Sequence, residues 1–372
     1  MSLKPVQAFA CCLLALAFSA PAFAAGDTIK LGVAGAHSGE LSSYGVPTLN
    51  AAHLVVDQYN AKGGVMGKQI EIIAEDDQCK PEIAPNAATK LISDGVNVVL
   101  GHICSGATKA AQPLYNNAKI VAMSPSATTP SMTESRENPY FFRTVAKDND
   151  SSTVSAKFAV EGLKSKKVAI LHDNSEYGKG YADGCAAYLK EAGVEVVLFE
   201  AVTPGAADYS SAVRKVRQNN ADLLMWGGYY PEASKILANM HSLDIEIPLI
   251  GPDGLKDAGF LELAGDDAEG VYAAGPSDTA GNPLSIEYAK LHQEKYGTAP
   301  GAFFDNAVSA AIALLNAIDK AQSTDSAKIM DALHNSEVDT PVGLIKFDDK
   351  GDAIGVGMSV YQIKDGAYVS VF

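Results

Sequence analysis

The stretch "VNVVLGHICSGATKAAQPLYNNAKIVAMSPSATTP", residues 96 to 130, reads as strand, helix, strand. "VNVVLG" is a short apolar run rich in β-branched residues, "ATKAAQPLYNNA" has apolar residues at helical spacing, and "KIVAMSP" is apolar again. Each strand ends in a loop carrying hydroxyls, first Ser105 in "GHICSGAT" and then "SPSATTP" from Ser124 to Pro130. Two strands joined by one helix must run parallel, because a hairpin connection is too short to contain a helix.

The same alternation extends in both directions. Upstream lie the strand "IKLGVAG" from Ile29, the helix "LNAAHLVVDQYNAKGG" with its glycine stop, the strand "IEIIAED" and the helix "PNAATKLISDG". A second series begins at "KKVAILHD" and continues through "VEVVLFE", "ADLLMWGG", "IPLIG" and "EGVYAAG", with helices between. Alternation of this kind predicts parallel sheets covered by helices on both faces. Two series predict an α/β protein of two doubly wound parallel-sheet lobes. The pattern changes near the C-terminus. "NAVSAAIALLNAIDKA" reads as a long apolar helix, and "LIKFDDKGD" and "GMSVYQIKDGAYVSVF" read as strands and turns.

Composition sets the bounds. Residues 1–24 read as a secretory signal: Lys4, the apolar "AFACCLLALAFSA", and "AFA" ending at Ala24 as a small-x-small cleavage site. No other stretch approaches the roughly twenty apolar residues of a membrane span. Cys11 and Cys12 lie inside the apolar run, which argues against a lipid-attached cysteine. The 372-residue chain carries a formal charge of −15, or about −16 without Lys4. Such acidity excludes nucleic acid and anionic membrane surfaces as natural partners.

The residues exclude the common chemistries in turn. No G-x-S-x-G elbow, P-loop or H-E-x-x-H occurs, and the histidines lack metal-ligand spacing. We therefore expect no metal and no cofactor. "GKGYADG" places its last glycine one residue too late for a dinucleotide fingerprint. His102 and His172 each follow an apolar strand and read as hydrogen-bonded structural residues. Acidic "DDKGD" lacks the loop spacing of a calcium site and reads as a solvated turn. Cys104 is a possible nucleophile at a helix start. However, Cys79 in "DDQCKP" also follows a strand, and a Cys79–Cys104 disulfide is the simpler account in an exported chain. It would close a loop worth roughly 3 kcal/mol. Cys185, inside the helical "YADGCAAYLKEAG", reads as a small buried apolar residue.

The hydroxyl loops suggest a binding site. Ligands of doubly wound sheets sit beyond the carboxyl ends of the strands, where free N–H groups and helix dipoles favour an anion. Ser105, Ser126 and Thr128 there form a neutral pocket suited to a carboxylate. Taken alone, they read first as ordinary helix caps.

Further stretches carry a resemblance. "VAGAHSGELSSYG", "YNAKGGVMGKQIEI", "DDQC", "VVLGHICSGAT", "SPSATTP", "FFRT", "HDNSEYGKG", "GGYYPE", "IGPDG" and "GAFFDNA" occur in that order. The order resembles that of periplasmic branched-chain amino-acid binding proteins of ABC uptake systems, over essentially the whole chain after the leader. The resemblance implies two α/β lobes joined by three crossovers, lobe one from 25–145 plus 276–345 and lobe two from 146–275 plus 346–372. It implies a monomeric periplasmic protein, not an enzyme, that delivers an amino acid such as leucine, isoleucine or valine to a membrane permease and its ATPase.

The family's roles fall on named residues. Ser105 and Thr128 match positions that hold the α-carboxylate by hydroxyl and backbone N–H. Ser126 matches a position whose carbonyl meets the α-ammonium, although alanine is common there. Tyr229 and Asp253 match contacts from lobe two to the ammonium end. Tyr44, Ile103, Cys104, Ala127, Tyr177 and Phe303 match the wall around the ligand's side chain. Asp253 departs from the family's usual glutamate and is shorter by about 1.3 to 1.5 Å. Two alternatives stay open: another small ligand on the same scaffold (an aromatic amino acid, amide or carboxylate), or a secreted hydrolase using Cys104 or Ser105.

Overall fold

The computed structural model describes residues 28–372; the signal read at 1–24 lies outside them. The first sheet takes strands β1 (Ile29–Gly35), β2 (Ile70–Asp76), β3 (Val98–Leu100), β4 (Val121–Ser124) and β5 (Phe141–Arg143). They are ordered β2-β1-β3-β4-β5 and all run parallel. Between them come helices α1 (Ser42–Ala61), α2 (Ala84–Ser93), α3 (Ser105–Ala118) and the single turn α4 (Ser131–Glu134).

The chain then enters a second sheet. Helix α5 (Asp148–Glu161) leads to β6 (Lys167–His172), α6 (Glu176–Glu191), β7 (Glu195–Ala201), α7 (Ser210–Gln218) and β8 (Leu223–Gly227). α8 (Tyr230–Ser242), β9 (Leu249–Gly251), α9 (Ala258–Ala264) and β10 (Tyr272–Pro276) follow. After β10 the chain returns to the first lobe, where α10 (Pro283–Tyr296) and α11 (Phe304–Ala321) pack against α1. Next come α12 (Ser326–Asn335) and a small antiparallel sheet of β11 (Val338–Thr340), β12 (Gly343–Phe347) and β13 (Ala353–Ile354). β14 (Met358–Lys364) and β15 (Ala367–Ser370) finally join the second sheet, whose order is β15-β14-β10-β9-β8-β6-β7. β14 pairs antiparallel to β10, which is why alternation fails in that part of the sequence.

Period-two alternation decides which face each strand residue covers. Leu31, Val33, Val98, Leu100, Val121 and Met123 pack under α1 and α11, whereas Ala34, Val99 and Ala122 face α2 and α3. The second sheet divides likewise: Val168, Ile170 and Met225 lie on one face, Ala169, Leu171 and Trp226 on the other. One hydrophobic cluster runs through both lobes, joining Ile103 and Cys104 of the first to Trp226, Tyr230 and Leu255 of the second.

The "DDKGD" turn is a correction to the sequence reading. Asp348 shapes the turn by accepting the N–H groups of Lys350 and Asp352, at 2.9 Å each. Asp352, however, is buried rather than solvated, and its carboxylate accepts from Arg143 Nε at 2.5 Å and from Lys147 Nζ at 3.2 Å. Arg143 is fully buried at the end of β5, and its other nitrogens donate to Ala127 O, Thr129 O and Thr133 Oγ1. A charge on Arg143 cannot leave water without such a set of acceptors. The guanidinium holds the Asp352 carboxyl below the ordinary carboxylate range despite burial, which acts in the opposite direction. Asp352→Ala is therefore expected to destabilise the fold by about 3 to 5 kcal/mol in denaturant titrations, because it strands a buried cation. The wild-type contribution should be complete above the unfolded-state carboxyl value. It should be lost as pH falls through the lower folded value.

Candidate functional site

Both hydroxyl loops lie at the carboxyl ends of neighbouring parallel strands. Ser105 opens α3 directly after β3, with Cys104 in extended conformation before it, so the first-turn N–H groups of α3 face the cleft. "SPSATTP" follows β4. Its start is tied down by Ser124 Oγ, which donates to His102 O at 2.5 Å and accepts from Ala127 N at 2.9 Å. Both histidines singled out in the sequence are hydrogen-bonded. His102 Nδ1 lies 2.5 Å from Asp77 Oδ2 and its Nε2 lies 3.0 Å from Tyr115 Oη, all buried. His172 Nδ1 accepts from Asn174 N–H at 3.1 Å. A disulfide joins Cys79 to Cys104, so Cys104 has no free thiol to act as a nucleophile.

A narrow cavity lies between the lobes. Tyr44, Ile103, Cys104, Ser105, Ser126, Tyr177, Tyr229, Asp253 and Phe303, all singled out in the sequence, line it. Ala127 and Thr128 do not line it. Ala127 is fully buried, with its carbonyl turned to Arg143. Thr128 is also fully buried; its N–H donates to Ser105 Oγ at 3.3 Å, so two groups suited to one carboxylate face each other. Ser126 Oγ donates to Ile103 O at 2.8 Å, which is where the hydroxyl that replaces the common alanine goes.

Aromatic rings form the wall. Tyr44 lies 6.1 Å from Tyr229 and from Phe303 between ring centroids, and Tyr177 lies 5.0 Å from Tyr229. On the second-lobe side Asp253 is buried, and Oδ1 accepts from Tyr177 Oη at 2.5 Å. Oδ2 has no hydrogen-bond partner. Burial raises the Asp253 carboxyl to about 6, opposed by the Tyr177 hydrogen bond. The same burial, with the acids nearby, keeps Tyr177 far above its ordinary range, so it stays a neutral donor.

Several bonds cross the cleft. Tyr44 Oη donates to Gly254 O at 2.5 Å, and Tyr230 Oη donates to Glu40 O at 2.6 Å and accepts from Ser43 Oγ at 3.0 Å. The sequence reading missed Tyr230 and Gly254. Both are direct neighbours of flagged residues, Tyr229 and Asp253, but only the closed cleft gives them a role. A wider neighbouring cleft shares Asp253 and Phe303, yet holds Asp278 and Asp305 beside Lys256 and is ill suited to a carboxylate.

The family described as periplasmic binding protein matches residues 28–367. The chain belongs to the periplasmic binding protein family. Among its relatives in the family, the Leu/Ile/Val-binding protein of Escherichia coli is 33% identical over 362 residues, covering 97% of each chain. The leucine-, isoleucine-, valine-, threonine- and alanine-binding protein of Pseudomonas aeruginosa is 33% identical over 338 residues, covering 91% of this chain and 90% of its own. A solved branched-chain amino acid transporter substrate-binding protein of Streptococcus pneumoniae, in complex with isoleucine, superposes with a TM-score of 0.84 at 28% identity. It covers 93% of this chain and 100% of its own.

Among the described residues Cys185 is the free thiol. It is fully buried between α5 and α6, which pushes its titration far above the ordinary thiol range. Mass mapping of the native protein should find Cys79 linked to Cys104. Iodoacetamide should label Cys185 only after unfolding, since a buried thiol supplies no thiolate.

Proposed function

We propose that this periplasmic binding protein captures a branched-chain or related aliphatic amino acid between its two lobes and delivers it to an ABC importer. One observation carries the reading: in a single cavity, hydroxyls and helix N–H groups from one lobe face a buried, half-partnered carboxylate from the other. A zwitterion leaving water needs both of its charges compensated. The α3 N-terminus with Ser105 and the neighbouring Thr128 N–H suit the carboxylate, and Asp253 Oδ2 suits the ammonium. Tyr44, Ile103, Tyr229 and Phe303 then surround an aliphatic side chain with apolar surface.

Neither lobe compensates both charges. The ligand accordingly favours the closed form by its differential affinity for it. Three crossings of the chain serve as the hinge: residues 144–147, 277–282 and 355–357. The last lies beyond the 345/346 boundary expected from the sequence, because Phe347 packs in the first core and Asp352 anchors on Arg143. A ligand without an ammonium, such as an aromatic carboxylate, would leave Asp253 Oδ2 buried without a partner. The aliphatic amino acid is therefore the stronger reading. Monomeric action and a cognate permease and ATPase belong to the same proposal.

Calorimetry with the twenty amino acids, on protein stripped of carried-over ligand, tests it. Leucine and valine should bind within about tenfold of each other, because one methylene is worth about 0.8 kcal/mol in an apolar pocket. A thousandfold gap would contradict the shape assigned to the pocket. Asp253→Asn should weaken leucine binding by about 2 to 5 kcal/mol while leaving the melting transition in place. Binding within twofold of wild type would reject the clamp.

A further inference from the structure

Three hydrogen bonds in series tie the loop after β3 to the loop after β4. Ser124 Oγ donates to His102 O at 2.5 Å, Ser126 Oγ donates to Ile103 O at 2.8 Å, and Thr128 N–H donates to Ser105 Oγ at 3.3 Å. Ser124 and His102 are buried away from the cavity, whereas Ile103, Ser105 and Ser126 line it. Ile103 precedes Ser105 by two residues, and Ser126 precedes Thr128 by two. Two residues of chain span at most about 7 Å, so the second bond neighbours the third along the cavity wall.

The third bond marks the place that the reading above gives to the ligand's carboxylate. A protein group one such step away meets the atoms attached next to the α-carbon, which are the substituents of the β-carbon. Ser126 Oγ donates its hydrogen to Ile103 O and keeps its lone pairs, so it meets the ligand as an acceptor. Its neighbours in the wall are the aliphatic Ile103, the bridged Cys104 and the ring of Phe303. Tyr44 and Tyr177 direct their hydroxyl hydrogens elsewhere, to Gly254 O and Asp253 Oδ1. An aliphatic substituent over Ser126 covers its oxygen without satisfying it, which is unfavourable; a hydroxyl donates to it.

We propose that Ser126 is a specificity-determining residue: it accepts a hydrogen bond from a β-hydroxyl on the ligand and so favours threonine within an otherwise aliphatic pocket. Valine and threonine share one shape and differ by a methyl against a hydroxyl, so the choice between them falls on this oxygen. A wholly apolar pocket of that shape prefers valine by about a hundredfold. One net hydrogen bond recovers about three- to tenfold of that preference. The inference rests on the amino-acid reading above and deepens it.

The test is calorimetry with valine, threonine, allo-threonine and leucine, on ligand-stripped wild type and Ser126→Ala. Wild type should bind threonine about tenfold more weakly than valine, and the variant should widen that gap about tenfold, with threonine weakened and valine bound as well or better. Threonine and allo-threonine carry the same two β-substituents in exchanged positions. They should differ by about threefold or more in wild type, and the variant should lose most of that difference. A merely structural role would weaken valine and threonine alike and leave their ratio unchanged. If the variant fails to fold, the wild-type values still decide: a hundredfold preference for valine with no discrimination between the two threonines would overturn the role. An unchanged ratio in a variant that binds leucine would overturn the role of Ser126 and leave the proposed function intact. Failure of every amino acid to bind wild type would overturn both.

Discussion

A carboxylate buried between two lobes with one hydrogen bond sets the terms for the rest of this molecule. Asp253 has Tyr177 on one oxygen and no protein partner on the other. Taking such a charge out of water is costly unless a cation arrives with closure. The contacts that close the cleft are a few hydrogen bonds and ring edges, chiefly Tyr44 to Gly254 and Tyr230 to Glu40. In the proposed function the closed state therefore depends on a ligand charge. A protein that closed tightly on its own would have no use for the ligand's free energy, and one that lacked the buried acid would not distinguish an ammonium.

The opposite side of the cavity is arranged for rigidity. Residues 101–105 are fixed from behind by Asp77, His102 and Tyr115, from the side by the Cys79–Cys104 bond, and from the next loop by Ser124. Arg143 gathers the carbonyls of Ala127 and Thr129, and the N–H of Thr128 between them points to Ser105. Donors held in this way lose little freedom when a carboxylate binds, which is where affinity in a small site comes from. In "GHICSGAT" the cysteine is bridged and the histidine is a strut, and the proposed function gives the loop a binding role.

The two lobes and their parallel strands were legible in the sequence, because strand and helix periods depend on side chains a few residues apart. The same holds for the hydroxyl loops at strand ends, and for the cysteines at 79 and 104. Eight of the nine expected ligand residues that meet in one cavity sit just past a strand or in the first turn of the helix that follows it, places that local pattern identifies; Phe303, between α10 and α11, does not. Tertiary structure alone decided what depends on neighbours far along the chain. Asp352 is buried because Arg143, 209 positions earlier, needs an anion. Tyr230 bonds to Glu40 across 190 positions, from one lobe to the other. Local periodicity determines which elements form, whereas desolvation and charge pairing depend on the surroundings that the assembled fold creates.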